Sequence, residues 1–350
     1  MRWITTVRIL KTVAGFSVLF TMLLRPAELF GQLSCNSITQ QTSIGAQWDC
    51  LSPPFCLADY DKFPQLASTY RKPISEIQLW SQILDIAFGG VRQQNPSDLR
   101  SALLDGLNIR FLIEGWGSRN TQVTTISDDL LLDATGSQYR QRELLFSDPY
   151  VGTFKGILLT PPAQIGSSAN YPIVLALHGH GETAEIYRDT YFATDYPKHG
   201  LGILILTFRA MDPWLGEHIP WEHLILNGFN LMGLRVYEAL IGLKYLACSP
   251  EARHVGLIGH SGGSSTGNLV VRIAPELLRA YVSDYQIDYA KLDAPEPYHC
   301  ETIPKIYPYH VAINNFATVE AQGVTVYSVP YGYTGLSQNI LAFFAKTLSQ

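Results

Sequence analysis

Residues 255–263 read Val255-Gly-Leu-Ile-Gly259-His260-Ser261-Gly262-Gly263: an apolar strand, a turn of small residues, and the start of a helix. This pattern constrains the fold more than any other in the chain. A serine inside such a turn is forced into a strained backbone conformation that lifts its hydroxyl above the sheet. Strand and helix can then approach only if Gly259 and Gly263 leave room. The segment therefore demands a strand delivered to the edge of a sheet with a helix packed directly behind it, and Ser261 is the candidate nucleophile.

The surrounding pattern supplies that sheet. Ile173–Leu177 and Gly202–Phe208 carry the continuous apolar runs VLAL and ILIL, suited to parallel strands buried on both faces, whereas Tyr139–Phe146 and Gly152–Thr160 read as an antiparallel hairpin. Helices are expected over Ala184–Tyr196, Asn227–Cys248, Gly262–Ile273 and Leu336–Leu348, and strands over Val255–Ile258, Ala280–Tyr285 and Val324–Val329. Alternation of strand and helix at this spacing predicts a doubly wound, mostly parallel α/β sheet. Ahead of it, Ile74–Phe88 and Pro96–Leu107 have helical periodicity and predict an N-terminal helical extension. No internal repeat is visible.

The first residues carry Arg2, Arg8 and Lys11, then the apolar run Val13–Leu24, then Arg25-Pro26. This is the layout of a secretory signal, with cleavage expected between Phe30 and Ser34 and an uncleaved anchor as the alternative. Gln32 stands where a lipoprotein signal ahead of Cys35 would carry an aliphatic residue. The expected division is 1–34 signal peptide, 35–122 arm and helical extension, and 123–350 catalytic-type domain. No stable membrane span is expected once the signal is removed, and the product belongs outside the cytoplasm, secreted or in the periplasm or cell envelope. Cys35, Cys50, Cys56, Cys248 and Cys300 all follow the signal, so disulfides are expected there, with connectivity left open. Their spacing suggests no metal site. With 47% hydrophobic residues, 16% charged residues and a net charge of −5, the chain can bury a large core and offers no basic field for nucleic acid.

Acyl transfer needs a nucleophile, a base, a group that orients the base, and donors for the developing oxyanion. Immediately after the VLAL strand comes His178-Gly179-His180-Gly181, a side-chain-poor loop whose N–H groups can point into a site at the strand ends. The imidazoles of this loop read as packed or satisfied groups, its service being through the backbone. Arg209, at the end of the ILIL strand, either holds a substrate carboxylate or pairs with Asp212. Trp214, His218, Trp221 and His223 form either a stacking surface or a packed lid.

Four segments, Asp148-Pro-Tyr-Val-Gly-Thr-Phe-Lys-Gly156, His178-Gly-His-Gly181, Gly259-His-Ser-Gly-Gly263 and His299-Cys-Glu-Thr-Ile-Pro304, give the chain a resemblance. From about Tyr139 onward it resembles the α/β-hydrolase superfamily, and within it the group similar to dienelactone hydrolases and acetyl xylan esterases. The resemblance implies the α/β-hydrolase fold, no cofactor, Ser261 as nucleophile, and oxyanion donors at His180 or Gly181 and at Gly262. It also implies a histidine near the C-terminus, and here the chain departs from the pattern, since no histidine follows His310. The base is then His299 or His310, a group on another partner, or lost. His299 is preferred because it opens the segment that resembles the post-strand active-site loop. For the acid, Asp284 ends a predicted strand, with Asp288 as substitute. The leading expectation is a serine hydrolase of a carbohydrate or other small-molecule ester. Its rivals are a hydrolase-fold binding protein without chemistry and a peptidase on the same scaffold.

Overall fold

The computed structural model describes residues 38–41, 99–114, 121–149, 151–162, 170–209, 231–285, 301, 303, 312–313, 315–329 and 337–350. Among the described residues nine strands form a single sheet: β1 (Ile38–Gln41), β2 (Thr121–Leu132), β3 (Gln138–Asp148), β4 (Gly152–Thr160), β5 (Tyr171–Leu177), β6 (Gly202–Leu206), β7 (Ala252–His260), β8 (Ala280–Asp284) and β9 (Thr325–Ser328). Their order across the sheet is β1-β2-β3-β4-β6-β5-β7-β8-β9. The β2–β3–β4–β6 pairings are antiparallel, and β6, β5, β7, β8 and β9 run parallel to one another.

Strand order reverses at β5, which pairs with β6 on one side and β7 on the other. At such a reversal the connections from neighbouring strands leave toward opposite faces, and the crevice between them opens at the carboxyl ends of the strands. The carboxyl end of β5 runs into His178, and that of β7 runs into Ser261. The topology therefore brings together the two segments that the sequence singles out.

The alternation of the central strands explains the two-sided core. Leu175, Leu177, Leu257 and Tyr281 face one side, where they pack with helices α1 (Leu99–Gly106), α3 (Leu231–Cys248) and α4 (Gly262–Ile273). Val174, Ala176, Ile258 and Val282 face the other, against α2 (Ala184–Thr190) and α5 (Ser337–Leu348). Strands covered on both faces have no polar side to show, which is why they read as unbroken apolar runs.

Three elements differ from the sequence-based expectation. The helix expected over Ala184–Tyr196 stops at Thr190 and gives way to a separate turn, Asp195–Lys198. Phe192 adopts φ 56, and the N–H of Ala193 reaches back to the carbonyl of Arg188 (3.1 Å), the wiring of a left-handed helix cap. β2 is a twelve-residue strand that begins at Thr121; only its first residues are buried, so its outer half lacks the alternation that marks a strand. β1 lies within the expected arm and pairs in parallel with β2, from Ile38 opposite Thr121 to Gln41 opposite Thr124, so the sheet extends across the expected boundary at 122/123. The expected leader, 1–34, and the helix expected over Ile74–Phe88 lie outside the described residues. Among the described residues no helix is long and apolar enough to cross a membrane.

Candidate active site

β7 ends at His260, Ser261 takes φ 52 and ψ −118, and α4 starts at Gly262. A residue with a Cβ is strained in this region of backbone space. Ser261 is held there by its neighbours. Its N–H donates to the carbonyl of Asp284 (3.0 Å), and its own carbonyl accepts from the N–H groups of Ser264 (2.8 Å) and Ser265 (3.1 Å). The glycines are compulsory. A Cβ at Gly259 would stand 2.2 Å from the Gly263 carbonyl oxygen, and one at Gly263 would stand 2.0 Å from that of Leu177.

The loop after β5 lies directly against this turn, since a Cβ at Gly179 would be 3.0 Å from the Ser261 Cβ. Both polar groups of Gly179 are taken. Its N–H donates to Glu182 Oε2 (2.7 Å), and its carbonyl is contacted by His178 Nδ1 (3.0 Å). His178 Nε2 accepts from the N–H of Phe208 (3.0 Å), so this buried ring is fully engaged, and burial lowers its pKa and favours the neutral form. His178 thus has the structural role expected of it, tying the loop after β5 to the end of β6. The ring of His180 lies over Gly262, where a Cβ would meet His180 Cε1 at 2.4 Å. Its Nε2 stands 3.6 Å from Oε1 of Glu301, a fully buried carboxylate whose Oε2 accepts from Ser265 Oγ (3.0 Å). Gly262 opens a helix, whose first N–H groups have no partner inside it, and the His180 ring lies against it beside Ser261.

A chain of polar contacts runs behind the turn. His260 lies opposite Asp284 in the β7–β8 register, and its Nδ1 contacts Asp284 Oδ2 at 2.8 Å. Its Nε2 contacts Tyr191 Oη at 2.8 Å, and Tyr191 donates to Glu182 Oε1 at 2.7 Å. Burial, followed by the Glu182 bond, raises the Tyr191 pKa, so the phenol keeps its proton.

No family model matches this chain, and no curated protein sequence matches it. Solved structures to which it is similar include an acetyl xylan esterase from Paenibacillus sp. R4, at 10% identity and a TM-score of 0.47 over 77% of this chain and 99% of that one. Acetyl xylan esterase 1 from Thermoanaerobacterium sp. gives 12% identity and a TM-score of 0.44, over 76% and 98%. A dienelactone hydrolase from Anabaena variabilis gives 18% and 0.35, over 64% and 97%. The strand order with its reversal at β5, and the strained serine between β7 and α4, decide the architecture. The chain has the α/β-hydrolase fold.

Within that fold the residues singled out by sequence are distributed unequally. Ser261, Gly262 and His180 come together at the carboxyl ends of β5 and β7, and Gly181 follows His180 in the same loop. Asp284 ends β8 as expected, 2% exposed, but its Oδ2 engages His260. His299, His310, Asp288, Asp212 and the 214–223 cluster lie outside the described residues. Arg209 Nε donates to Glu238 Oε1 on α3 at 2.6 Å, a buried pair that binds the end of β6 to the helix behind it. Sequence reasoning missed Glu182, Tyr191, His260 and Glu301 as parts of the site. The signal available for Glu182 was its position directly after the His178–Gly181 loop and ahead of Thr183, which caps α2. Among the described residues no cluster of His, Cys, Asp or Glu could hold a metal ion.

Proposed function

We propose that this protein is a serine ester hydrolase that works through an acyl-enzyme, with an ester of a carbohydrate or another small molecule as substrate. The observation that carries the reading is Ser261, held at φ 52 at the carboxyl end of β7, beside the strand where the order of the parallel sheet reverses. In this reading the Ser261 hydroxyl attacks the ester carbonyl carbon while an imidazole takes its proton. The carbonyl oxygen gains negative charge and is met by N–H donors of Gly262 and of His180 or Gly181. The tetrahedral species collapses, the imidazole returns the proton to the departing alcohol, and water repeats the sequence on the acyl group. We assign the base to His299 and the orienting acid to Asp284, a buried carboxylate at the carboxyl end of β8 beside the turn. Export across a membrane belongs to the same reading. It rests on the N-terminal pattern, Arg2, Arg8 and Lys11 ahead of the apolar run Val13–Leu24.

Replacing Ser261 with alanine is expected to lower turnover of an activated acetate ester by about 10³-fold or more while leaving circular dichroism and the unfolding midpoint of the protein in place. Unchanged turnover would overturn the assignment. A second reading, a hydrolase-fold binding protein without chemistry, is favoured by one fact of the sequence, the absence of histidine after His310. A fluorophosphonate probe separates the two: an activated serine is labelled within minutes and the Ser261→Ala variant is not, whereas a well-folded chain that stays unlabelled is the binding protein.

A further inference from the structure

The contacts behind the serine close a ring between the two backbone segments that frame it. From the loop side, Gly179 N–H donates to Glu182 Oε2 (2.7 Å), and Glu182 Oε1 accepts from Tyr191 Oη (2.7 Å). From there the path continues through His260 Nε2 (2.8 Å) and His260 Nδ1 to Asp284 Oδ2 (2.8 Å). It returns to the serine through the main chain, because the Asp284 carbonyl accepts the Ser261 N–H (3.0 Å). We propose that Glu182 is the positioning residue of the site: it sets the 178–181 loop against Ser261, and Tyr191, His260 and Asp284 hold Glu182 in place. The proposal deepens the ester-hydrolase reading and rests on it.

Three observations carry it. Gly179 lies against the serine, where a Cβ on it would stand 3.0 Å from the Ser261 Cβ, so the direction of its carbonyl fixes where the N–H of His180, in the same peptide unit, can aim. Its carbonyl is anchored by the buried His178 ring, leaving Glu182 as the group that anchors its N–H. Both Glu182 oxygens are engaged, one by a backbone N–H and one by a phenol, and bonds to an ionised carboxylate are shorter and stronger than neutral ones. Finally, a carboxylate with no purpose beyond packing would not need a relay to a second carboxylate. The Tyr191 ring packs on His260 with centroids 4.5 Å apart, and Tyr285 approaches that imidazole from the β8 side at 6.1 Å. The relay is thereby fixed laterally as well as along its bonds. An oxyanion donor acts only if it is already aimed when charge develops, so a group that aims the loop changes the rate of the chemical step more than the binding of the ester.

The test uses the full-length protein with Glu182→Ala, Glu182→Gln and Tyr191→Phe. Two readouts are taken: kcat and KM for an activated acetate ester, and the amide proton shift of Gly179 in protein labelled with 15N-glycine. Glu182→Ala is expected to lower kcat by about 10- to 100-fold, short of the ~10²–10³ lost with a donor itself, with KM within about twofold. The Gly179 amide proton should move upfield, since its carboxylate partner is gone. Glu182→Gln keeps an oxygen for Gly179 and should recover kcat to within about threefold of wild type. Tyr191→Phe, which leaves the Gly179 bond and cuts the relay, should fall between the two. Unchanged kcat and an unmoved Gly179 resonance in Glu182→Ala would overturn the proposal, as would a Gln variant no better than Ala. Should Glu182→Ala fail to fold, the Gln and Phe variants decide. If the wild-type protein turns over no ester, the hydrolase reading fails on its own, and the Gly179 resonance alone settles whether Glu182 sets the loop.

Discussion

Ser261 owes its place to residues with no chemistry of their own. Gly259 and Gly263 leave less than a methyl group of space, and the sizes of the two gaps make a quantitative contrast with Gly181. A methyl at position 263 would stand 2.0 Å from the Leu177 carbonyl, whereas at Gly181, with φ +69, nothing lies within 4 Å. Gly263→Ala should therefore destabilise by about 3 kcal/mol or more through backbone displacement, and Gly181→Ala by only about 1 kcal/mol of left-handed strain. Urea midpoints of the two variants check the order. This part of the site was legible because its rule is local: a fixed spacing of small residues after an apolar strand. The relay was not. His260 meets Asp284 from 24 residues away and Tyr191 from 69. Those pairings exist only once the β7–β8 register and the end of α2 are set. Arg209 makes the same point. Asp212 was the partner visible in the sequence, and Glu238, a residue of another element, could be found only from the fold.

At the scale of elements, α3 shows what a strand-and-helix pattern leaves out. Its residues from Leu231 through Leu246 are all buried, including Arg235, Glu238 and Lys244, so it has no polar face to reveal its orientation. Its charges are accommodated instead of exposed: Arg209 pairs with Glu238, and burial raises the Glu238 pKa. For Lys244, burial pulls the pKa down to about 8, with the charge of Asp148 acting in the opposite direction. In the unfolded chain the same ammonium titrates near 10.4. Between these values the unfolded state binds more protons, so this group's contribution makes stability rise as pH increases from about 8 to about 10.4. The cost of the buried charge is complete below that window. Lys244→Met should be the more stable protein at pH 7 by about 1–3 kcal/mol, with an advantage that shrinks as pH climbs through the window. Denaturant unfolding of both proteins at pH 7, 9 and 10 measures it. The broken helix after Thr190 is likewise a matter of backbone geometry at one residue. No glycine marks the stop, because Phe192 takes the left-handed position that glycine usually fills.

Across the whole molecule, the doubly wound sheet could be read from the sequence because the buried strands announce themselves by composition. The edge could not. β1 is the short polar segment Ile38-Thr-Gln-Gln41, which carries no alternation, and it becomes a strand only by pairing with β2. It covers the backbone of a strand whose outer part also exposes Ile126, Leu130 and Leu132, at 42%, 60% and 64%. An open edge bearing apolar groups invites pairing with another chain. A protein truncated through Gln41 should therefore self-associate, with a mass by light scattering that rises with concentration, whereas the protein retaining Ile38–Gln41 should show less dependence.

The backbone at position 261 has a consequence for what this chain has kept. Glycine would relax there, releasing roughly 1–3 kcal/mol stored in one residue. A hydroxyl-bearing side chain occupies the spot instead, at the crest of a turn, with its Cβ against the loop at Gly179. A chain shaped by packing alone could discard that tension through a single substitution to glycine, so the turn at position 261 is held at a cost in stability.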